Sequence, residues 1–288
     1  MLGWIDTLIQ GVLLGGLYCL YATGLSVIFG IMRLVNLAHG DLIVLAAFLI
    51  LAAASAGVPL ILAFAVVMPL MFALGYAMQS VLLNRTLGRN ILPPLLITFG
   101  LSIIVQNGLL ETFSADTRFL NVGPLQSASL SLGGGIAIGV MPLICLMAAI
   151  VIIVLLNGVF YRTAVGRAFR ATSDDVEIAQ LMGINNKTIY ALTMGISLVV
   201  CAAAGFFLGA RANFDPSIGP ARLLYAFEAV IIGGLGSLWG TLAGGIVVGL
   251  AQTIGAHIDP EWQILAGHVA FLIVLVIRPR GLFPRAVD

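Results

Sequence analysis

The sequence predicts an all-α membrane protein, a bundle of about eight or nine helical spans of which one is short or broken. Of its 288 residues, 61% are hydrophobic and 9% are charged, whereas soluble domains carry about 25% charged residues. So few charges do not cover a water-exposed surface, but they suit a chain whose solvent is lipid. The 34 glycines are a second sign, because small residues let membrane helices approach each other closely.

The first spans follow from apolar stretches near the length of about 20 residues that a bilayer requires. Thr7–Met32 is one span, and its length indicates a retained helix rather than a cleaved signal peptide. Leu42–Leu83 contains two spans, separated at Ala56–Pro59. The next stretch, Asn90–Leu110, contains a proline at Pro93, which favours the first turn of a helix.

The later spans are interrupted by polar and glycine-rich segments. Phe119–Tyr161 begins with many Ser, Asn and Gly residues, so only Ile138–Phe160 is expected to span. Thr188–Ala210 and Trp262–Ile277 are uninterrupted spans. Ala229–Ala256 contains a predicted helix break, whose glycines are Gly233, Gly234 and Gly236.

The apolar stretch before this break is the least regular span. Leu223–Ile232 would be about 15 Å long as a helix, which is too short to cross alone. It is either a half-span that ends at the glycines or a tilted helix that continues into polar surroundings. Broken membrane helices are tolerated inside protein or beside a cavity, and they recur at transport sites. Including it gives nine crossings, with the N-terminus outside and the C-terminus inside.

The basic residues predict this orientation through the positive-inside rule. Ten of the 13 fall on the side assigned to the cytoplasm: Arg33, Arg85, Arg89, Arg162, Arg167, Arg170, Lys187, Arg278, Arg280 and Arg285. The opposite side receives Arg118, Arg211 and Arg222. We expect a single transmembrane domain over residues 1–288, with a cytoplasmic loop at 161–187. The net charge of +1 argues against a nucleic-acid partner.

Two polar segments form a weak internal echo. Asn36–Asp41 and Asp215–Pro220 each precede an apolar helix, and transporters often place polar breaks at matching positions of two repeats. From the sequence alone the echo is as consistent with chance as with a true repeat.

The cytoplasmic loop contains a predicted short amphipathic helix. Ser173 would begin it, with acidic residues in the first turn, and Gly183 would end it. Ile178, Leu181 and Met182 would form one apolar face. Such a face fits either a groove on a partner protein or the surface of the lipid headgroups.

Ionisable residues inside apolar runs are candidates for a pathway or gate, because burying them in a membrane is costly. Asn36, His39 and Asp41 follow Arg33 near the expected inner mouth, where they could instead cap a helix start. Glu228 should face a cavity, a basic partner or a broken helix end; Arg222 is not at an ideal same-face spacing.

The remaining polar residues carry weaker expectations. Gln106 and Asn107 are expected to hold helices together rather than to touch substrate. His268 is expected to bond a neighbouring carbonyl, and no metal-ligand spacing accompanies it. The cysteines should be small core residues: Cys19, Cys145 and Cys201.

Four segments resemble the LivH-type permeases of branched-chain amino acid ABC importers. They are Phe29–Gly40, Gly166–Asn185, Ala229–Ser237 and Arg278–Phe283, and the resemblance extends in order over nearly the whole chain. It implies an ABC importer permease fold in a bacterial inner membrane, and a substrate that is a branched-chain or other hydrophobic amino acid. Relatives with this pattern also import urea, short amides or aromatic carboxylates.

The resemblance also implies partners and coupling residues. A second related permease would complete a heterodimer, two cytoplasmic ATPase subunits would hold ATP and magnesium, and a periplasmic protein would deliver the substrate. This chain lacks the GxxxxGK[ST] loop, so we expect no cofactor and no catalysis in it. Residues 172–183 would sit in an ATPase groove. The implied ATPase-coupling residues are Gly166, Arg167, Arg170, Asp174, Asp175, Ala179, Met182 and Gly183.

An intramembrane enzyme and a stand-alone channel or carrier are the alternatives from other functional classes. An intramembrane enzyme would need paired catalytic groups, such as two aspartates in spans or HExxH, and the sequence contains neither. A stand-alone channel or secondary carrier is the other alternative, but carriers usually have more intramembrane charges for ion coupling.

Overall fold

A computed structural model describes residues 2–86, 92–133 and 136–283, and it confirms the all-α bundle. Its helices are α1 (Leu2–Met32), α2 (His39–Ser55), α3 (Leu60–Ala77), α4 (Leu92–Phe113), α5 (Val140–Arg162), α6 (Ala164–Asp174), α7 (Val176–Leu181), α8 (Asn186–Arg211), α9 (Gly219–Gly233), α10 (Leu238–Ile258) and α11 (Trp262–Ile277). Among the described residues, six helices are long and apolar enough to cross a membrane, while α2 and α11 are shorter apolar helices.

The predicted spans and breaks agree with these helices, with one omission. Gly57, with φ of 87°, lies in the predicted break between α2 and α3. A π-helical turn at Met78–Leu82 extends α3. The polar segment before α5 contains a hairpin of β1 (Ser129–Gly133) and β2 (Ile136–Gly139), which the sequence did not predict. The many Ser, Asn and Gly residues of this segment indicated only that it does not span the membrane.

Side-chain contacts define the two ends of the bundle. At one end Thr7 and His257 are hydrogen-bonded at 3.0 Å, and the Gln10 amide donates to the Ala137 carbonyl at 3.1 Å. At the other, the Asn84 amide donates to the Lys187 carbonyl at 3.2 Å. We call the second end the basic end, because the basic residues assigned to the cytoplasm lie there: Arg33, Arg85, Arg162, Arg167, Arg170, Lys187, Arg278 and Arg280. Arg89 and Arg285 lie outside the described residues, as does Asn90.

Two arginines assigned to the opposite side reach back toward the bundle. Arg211 donates to the Leu13 carbonyl at 3.1 Å, well inside α1. The guanidinium of Arg222 lies 6.0 Å from the Tyr21 ring centre and 5.9 Å from that of Tyr225. Neither arginine therefore acts simply as a solvated loop charge.

The two halves of the bundle repeat one packing pattern. α1 of the first half packs against α9 and α10 of the second, and α8 of the second half packs in the same way against α2 and α3 of the first. The short helices α2 and α9 contact each other at their N-termini, where Gly40 faces the backbone of Gly219. The echo between Asn36–Asp41 and Asp215–Pro220 therefore corresponds to matching positions in the fold.

Glycines allow α1 and α10 to pack closely. A Cβ atom on Gly245 of α10 would lie 2.7 Å from the Gly15 carbonyl of α1, and one on Gly11 would lie 2.9 Å from the Leu250 Cα. Only glycine permits backbones to approach this closely. Large apolar side chains remain exposed on α3, α4, α5 and α11, which is the surface that a lipid-facing bundle presents.

Candidate functional site

The glycine break lies between α9 and α10, as predicted. Gly234 and Gly236 have φ of 104° and 78°, which L-residues with a side chain rarely adopt. The Ser237 hydroxyl then caps α10 by accepting from the Gly240 amide at 3.1 Å. The break thus stops one helix and starts the next within a few residues.

The segment after α11 donates hydrogen bonds to the carbonyls at the C-terminal end of α9. The amides of Leu282 and Phe283 donate to the carbonyls of Ile232 and Gly233, at 2.8 and 3.0 Å. Carbonyls in the last turn of a helix have no partner within the helix. α9 also begins at Gly219, four residues before the predicted start. Its 15 residues give a length of about 22 Å, short of the roughly 30 Å of a bilayer core.

A buried polar layer crosses the bundle beside α9. In it the imidazole Nδ1 of His268 in α11 lies at hydrogen-bonding distance from the carboxylate of Glu228, and the Tyr18 hydroxyl donates to the Gln252 side-chain carbonyl at 2.5 Å. Tyr225 lies between these pairs, with its ring centre 4.9 Å from that of Tyr18 and 6.3 Å from that of His268. We define the polar layer as Tyr18, Tyr21, Arg222, Tyr225, Glu228, Gln252 and His268.

Several atoms of the polar layer are buried without a partner. Within the described part of the chain these are the Tyr21 hydroxyl, Arg222 Nε, Glu228 Oε2 and Gln252 Nε2. Buried polar atoms in native proteins nearly always have a hydrogen-bond partner. Their concentration beside the broken helix therefore indicates a place that takes up water or another polar group.

Three predicted pathway residues form a second buried cluster. Asn36 accepts from the Ala38 amide at 3.1 Å, ahead of α2, and so orders the turn without being its N-cap. The His39 imidazole contacts the Tyr21 carbonyl at 2.8 Å. Asp41, in the first turn of α2 as expected, accepts from the Ser102 hydroxyl at 2.5 Å.

This cluster is not at the inner mouth, which corrects the sequence-based placement. Asn36 and His39 are 0% exposed and Asp41 is 1% exposed. Their partners Tyr21 and Ser102 lie inside α1 and α4, away from the helix ends. The reason is the turn at Arg33, whose φ of 52° sends the chain back into the bundle. The distance of a residue from Arg33 along the sequence therefore does not give its depth.

The loop at 161–187 folds into two helices rather than one. Thr163 caps α6 by accepting from the Gly166 amide at 2.9 Å, and Gly166 packs against the backbone of Phe160. Arg170 lies over the Tyr161 ring at 5.0 Å from its centre, while Arg167 is exposed.

The N-cap of α7 is Asp175 and not the predicted Ser173. The Asp175 carboxylate accepts from the amides of Glu177 and Ile178 at 2.8 and 2.9 Å. The Ser173 hydroxyl instead donates to the Gly30 carbonyl at 2.5 Å, which holds the loop to the end of α1. Asp174, which ends α6, is exposed. The contact with Gly30 therefore occupies the Ser173 hydroxyl, and the next carboxylate but one caps the helix.

The apolar face of α7 is exposed, as the amphipathic pattern predicts. Ile178 is 59% exposed, Leu181 86% and Met182 78%, while Ala179 is buried against the loop. Gly183, with φ of 84°, ends the helix as expected. Ile178, Leu181 and Met182 therefore form a small exposed apolar surface at the basic end.

Other expectations have mixed outcomes. The predicted bond from His268 to a carbonyl is wrong, because Nδ1 faces Glu228. The Gln106 amide contacts the Ser217 carbonyl at 3.5 Å, whereas Asn107 is exposed and bonds the Ile103 carbonyl of its own helix. All three cysteines are buried and free, as expected. Among the described residues, no three His, Cys, Asp or Glu residues are grouped as metal ligands would be.

The sequence reasoning missed Tyr18 and Gln252. Gln252 carried a usable signal, since it is an amide side chain in the otherwise apolar run of α10. Tyr18 carried none, because tyrosine is common in apolar helices and its partner lies 234 residues away.

The chain resembles known transport proteins over most of its length. Residues 7–277 match the family model described as "Branched-chain amino acid transport system / permease component". The chain is 29% identical to the high-affinity branched-chain amino acid transport system permease protein BraD of Pseudomonas aeruginosa, with 98% of this chain and 96% of that protein covered. It is 27% identical to LivH of Escherichia coli over the same shares. It is also 30% identical to the fructose import permease protein FrcC of Rhizobium meliloti, over 68% of this chain and 57% of that protein.

Proposed function

Since the chain belongs to the family of branched-chain amino acid transport permease components, we propose that it imports branched-chain or other hydrophobic amino acids as half of a translocation pathway. A second related permease forms the other half, in a heterodimer. Two cytoplasmic ATPases bind ATP and magnesium, and a periplasmic binding protein delivers the substrate. The N-terminus is periplasmic and the C-terminus cytoplasmic, in agreement with the charge of the basic end.

The observation that carries this proposal is the exposed face of α7. Leu181 and Met182 are 86% and 78% exposed on a capped helix that protrudes beyond the bundle. An exposed amphipathic helix on a rigid support is suited to a hydrophobic groove on a partner. A flat position on lipid is less favourable for it, because α7 has six residues and presents only a small apolar area.

Coupling follows from how α6 and α7 are held. Gly166 packs closely on the end of α5, and Ser173 is bonded to the Gly30 carbonyl at the end of α1. A force that an ATPase applies to α7 therefore acts on two spans at once. Arg167, Asp174 and Asp175 are exposed on this loop and supply charged groups for the ATPase surface. Arg170, stacked over Tyr161, supports the position of α6.

The pathway role is proposed for the buried polar residues around the two short helices. Asn36, His39, Asp41 and Glu228 lie on or beside helices that begin or end inside the bundle. Helix ends of this kind offer polar groups to a solute without exposing them to lipid. Buried apolar side chains of the core adjoin these residues, which suits a substrate with a hydrocarbon side chain.

The test of the ATPase partnership is co-purification and uptake. The chain is co-expressed with its ATPases, second permease and binding protein, solubilised and captured by a tag. We expect the ATPases to be recovered with it. Gly183→Pro should abolish uptake, because proline requires φ near −65° whereas Gly183 adopts 84°. Failure to recover an ATPase, together with normal uptake by Gly183→Pro, would refute the proposal.

Two alternatives to this proposal, another substrate and a stand-alone carrier, are distinguished by experiment. The likeness to FrcC leaves solutes other than amino acids as possible substrates. The family resemblance adds urea, short amides and aromatic carboxylates to these solutes. A ligand-binding assay on the cognate periplasmic protein distinguishes them. The pair of the buried Glu228 with the partly exposed His268 is what favours a stand-alone carrier, because such pairs can carry protons. Uptake that persists without the ATPases would favour that carrier.

A further inference from the structure

A cavity of about 550 Å³ lies at the basic end of the bundle. It is enclosed by the ends of α1 and α5, by α6, by the break before α10 and by the segment after α11. This volume is typical of pockets that bind small molecules, which are about 300–1,000 Å³. The cavity is separate from the polar layer, since the two share no residue.

The chemistry of the walls selects one class of ligand. The apolar part of the lining includes Val27, Ile31, Phe160 and Phe169, and Arg170 is the one charged side chain among the described residues that line the cavity. None of the described residues in the lining carries a carboxylate. An amino acid would therefore find a partner for its carboxylate but not for its ammonium group. A molecule with a hydrocarbon body and an anionic head matches both parts of the lining.

The position of the cavity favours the same ligand class. Tyr161 and Trp239 line it and are 62% and 48% exposed at the basic end. Tyrosine and tryptophan concentrate where a membrane meets water, at the level of the lipid headgroups. Arg170, stacked over Tyr161, therefore lies where a lipid carries its charge, and the apolar lining accommodates an acyl chain.

Neutral polar side chains also line the cavity: Ser26, Asn157 and Ser237. The Ser26 hydroxyl is buried and has no hydrogen-bond partner in the part of the chain that the structure describes. Serine hydroxyls in membrane helices usually bond a carbonyl one turn earlier. An unpaired hydroxyl in the wall of a cavity is available to an oxygen of a bound molecule.

We propose that this cavity binds an amphipathic anion, with an acyl chain between α1 and α5 and a carboxylate or phosphate head at Arg170. The ligand is either a free fatty acid from the cytoplasm or an anionic phospholipid from the inner leaflet. In both cases the ligand contacts α6, which belongs to the loop at 161–187, and the start of α10. Its occupancy therefore links the lipid environment to the loop that faces the ATPases.

Trp239 provides a direct test, because it lines the cavity. The chain contains three tryptophans, so Trp4→Phe and Trp262→Phe leave Trp239 as the one emitter. Bromine atoms quench tryptophan emission on contact. We expect saturable quenching by dibromostearic acid in neutral detergent, or by phosphatidylglycerol with a brominated chain in nanodiscs. Quenching by the brominated acid identifies a free fatty acid as the ligand, and quenching by the brominated lipid identifies a phospholipid.

Two variants of α6 show whether the head group is recognised. Arg170→Gln should weaken the apparent affinity about tenfold, since a charge-assisted hydrogen bond is lost, and Arg170→Lys should retain most of it. Arg167→Gln is the matched control, because Arg167 is exposed and does not line the cavity. Absence of saturable quenching in both arms would overturn the proposal. Equal quenching by brominated phosphatidylcholine, unchanged in Arg170→Gln, would also overturn it.

Discussion

The carboxylate of Glu228 and the imidazole of His268 are paired inside the bundle, although 40 residues separate them. The pair connects the broken helix α9 to α11. Glu228 is 1% exposed, and its second oxygen has no partner in the described part of the chain. A carboxylate that keeps one free oxygen beside a helix break is bound firmly enough to stay in place and is still open to another polar group.

Glu228→Gln tests whether this carboxylate serves the pathway. Glutamine keeps the size and one hydrogen bond to His268 but removes the charge, so assembly should survive. We expect uptake to fall about tenfold, the size of a lost charge-assisted bond. The measurement is substrate uptake by membrane vesicles that contain the complete importer, with gel filtration as the check on assembly.

Glu111→Gln is the matched control for this charge. Glu111 belongs to α4 and is exposed, so its neutralisation should leave uptake unchanged. Normal transport by Glu228→Gln would refute the pathway role of the carboxylate. Loss of assembly in that variant would instead assign Glu228 to the stability of the bundle.

The Tyr18–Gln252 hydrogen bond should couple α1 to α10. Tyr18→Phe removes the donor and leaves the buried amide of Gln252 without its partner, at a cost of about 1–3 kcal/mol. Gln252→Leu alone leaves the Tyr18 hydroxyl unpaired. The double variant should be less destabilised than the sum of the two, with a coupling energy of roughly 1 kcal/mol. Thermal unfolding in detergent measures this, and strict additivity would show that the bond contributes nothing.

The contact between α2 and α9 should tolerate no side chain. A Cβ atom on Gly40 would overlap the carbonyl of Gly219, and backbone atoms cannot move aside cheaply. We expect Gly40→Ala to destabilise the protein by about 1–3 kcal/mol, the usual cost of overpacking. Differential scanning fluorimetry of the purified chain would record this as a lower Tm.

Gly158→Ala provides the comparison for that substitution. A Cβ atom at Gly158 in α5 would meet no atom within 4 Å. Alanine also favours the helix over glycine by about 1 kcal/mol, so the Tm should stay the same or rise. If both variants behaved alike, the close approach of α2 and α9 would not be a constraint on the fold.

The spans were predictable because their signal is local. Membrane helices are defined by long apolar stretches, and breaks such as Ala56–Pro59 and Gly233–Ser237 carry their own turn residues. Both breaks separate helices in the structure. The hairpin before α5 was missed because its residues alternate weakly and include many small ones, so no strand pattern distinguishes it from a loop.

The depth and pairing of polar residues were not predictable in the same way. The Asn36–Asp41 cluster was placed at the inner mouth because Arg33 precedes it, yet the turn at Arg33 carries it into the bundle. Glu228 was recognised as costly to bury, but its partner is on another helix that no spacing rule reaches. Sequence therefore identifies which residues need a partner, and the tertiary packing determines what the partner is.

The two adjacent acids at the start of α7 differ in their roles, and substituting each in turn tests the N-cap. Asp175 accepts from two backbone amides at the start of the helix, whereas Asp174 is exposed and has no capping role. Asp175→Ala should destabilise α7 by about 1 kcal/mol, a typical cost of losing a cap. A six-residue helix has little other stabilisation, so its exposed Leu181 and Met182 would no longer be presented in one orientation. We expect a larger loss of ATPase recovery and uptake with Asp175→Ala, which removes both the cap and a charge, than with Asp174→Ala, which removes a surface charge alone. Asp175→Ser should partly rescue both values, since serine also caps. Equal effects of the two alanine variants would assign the acids to surface charge rather than to the helix start.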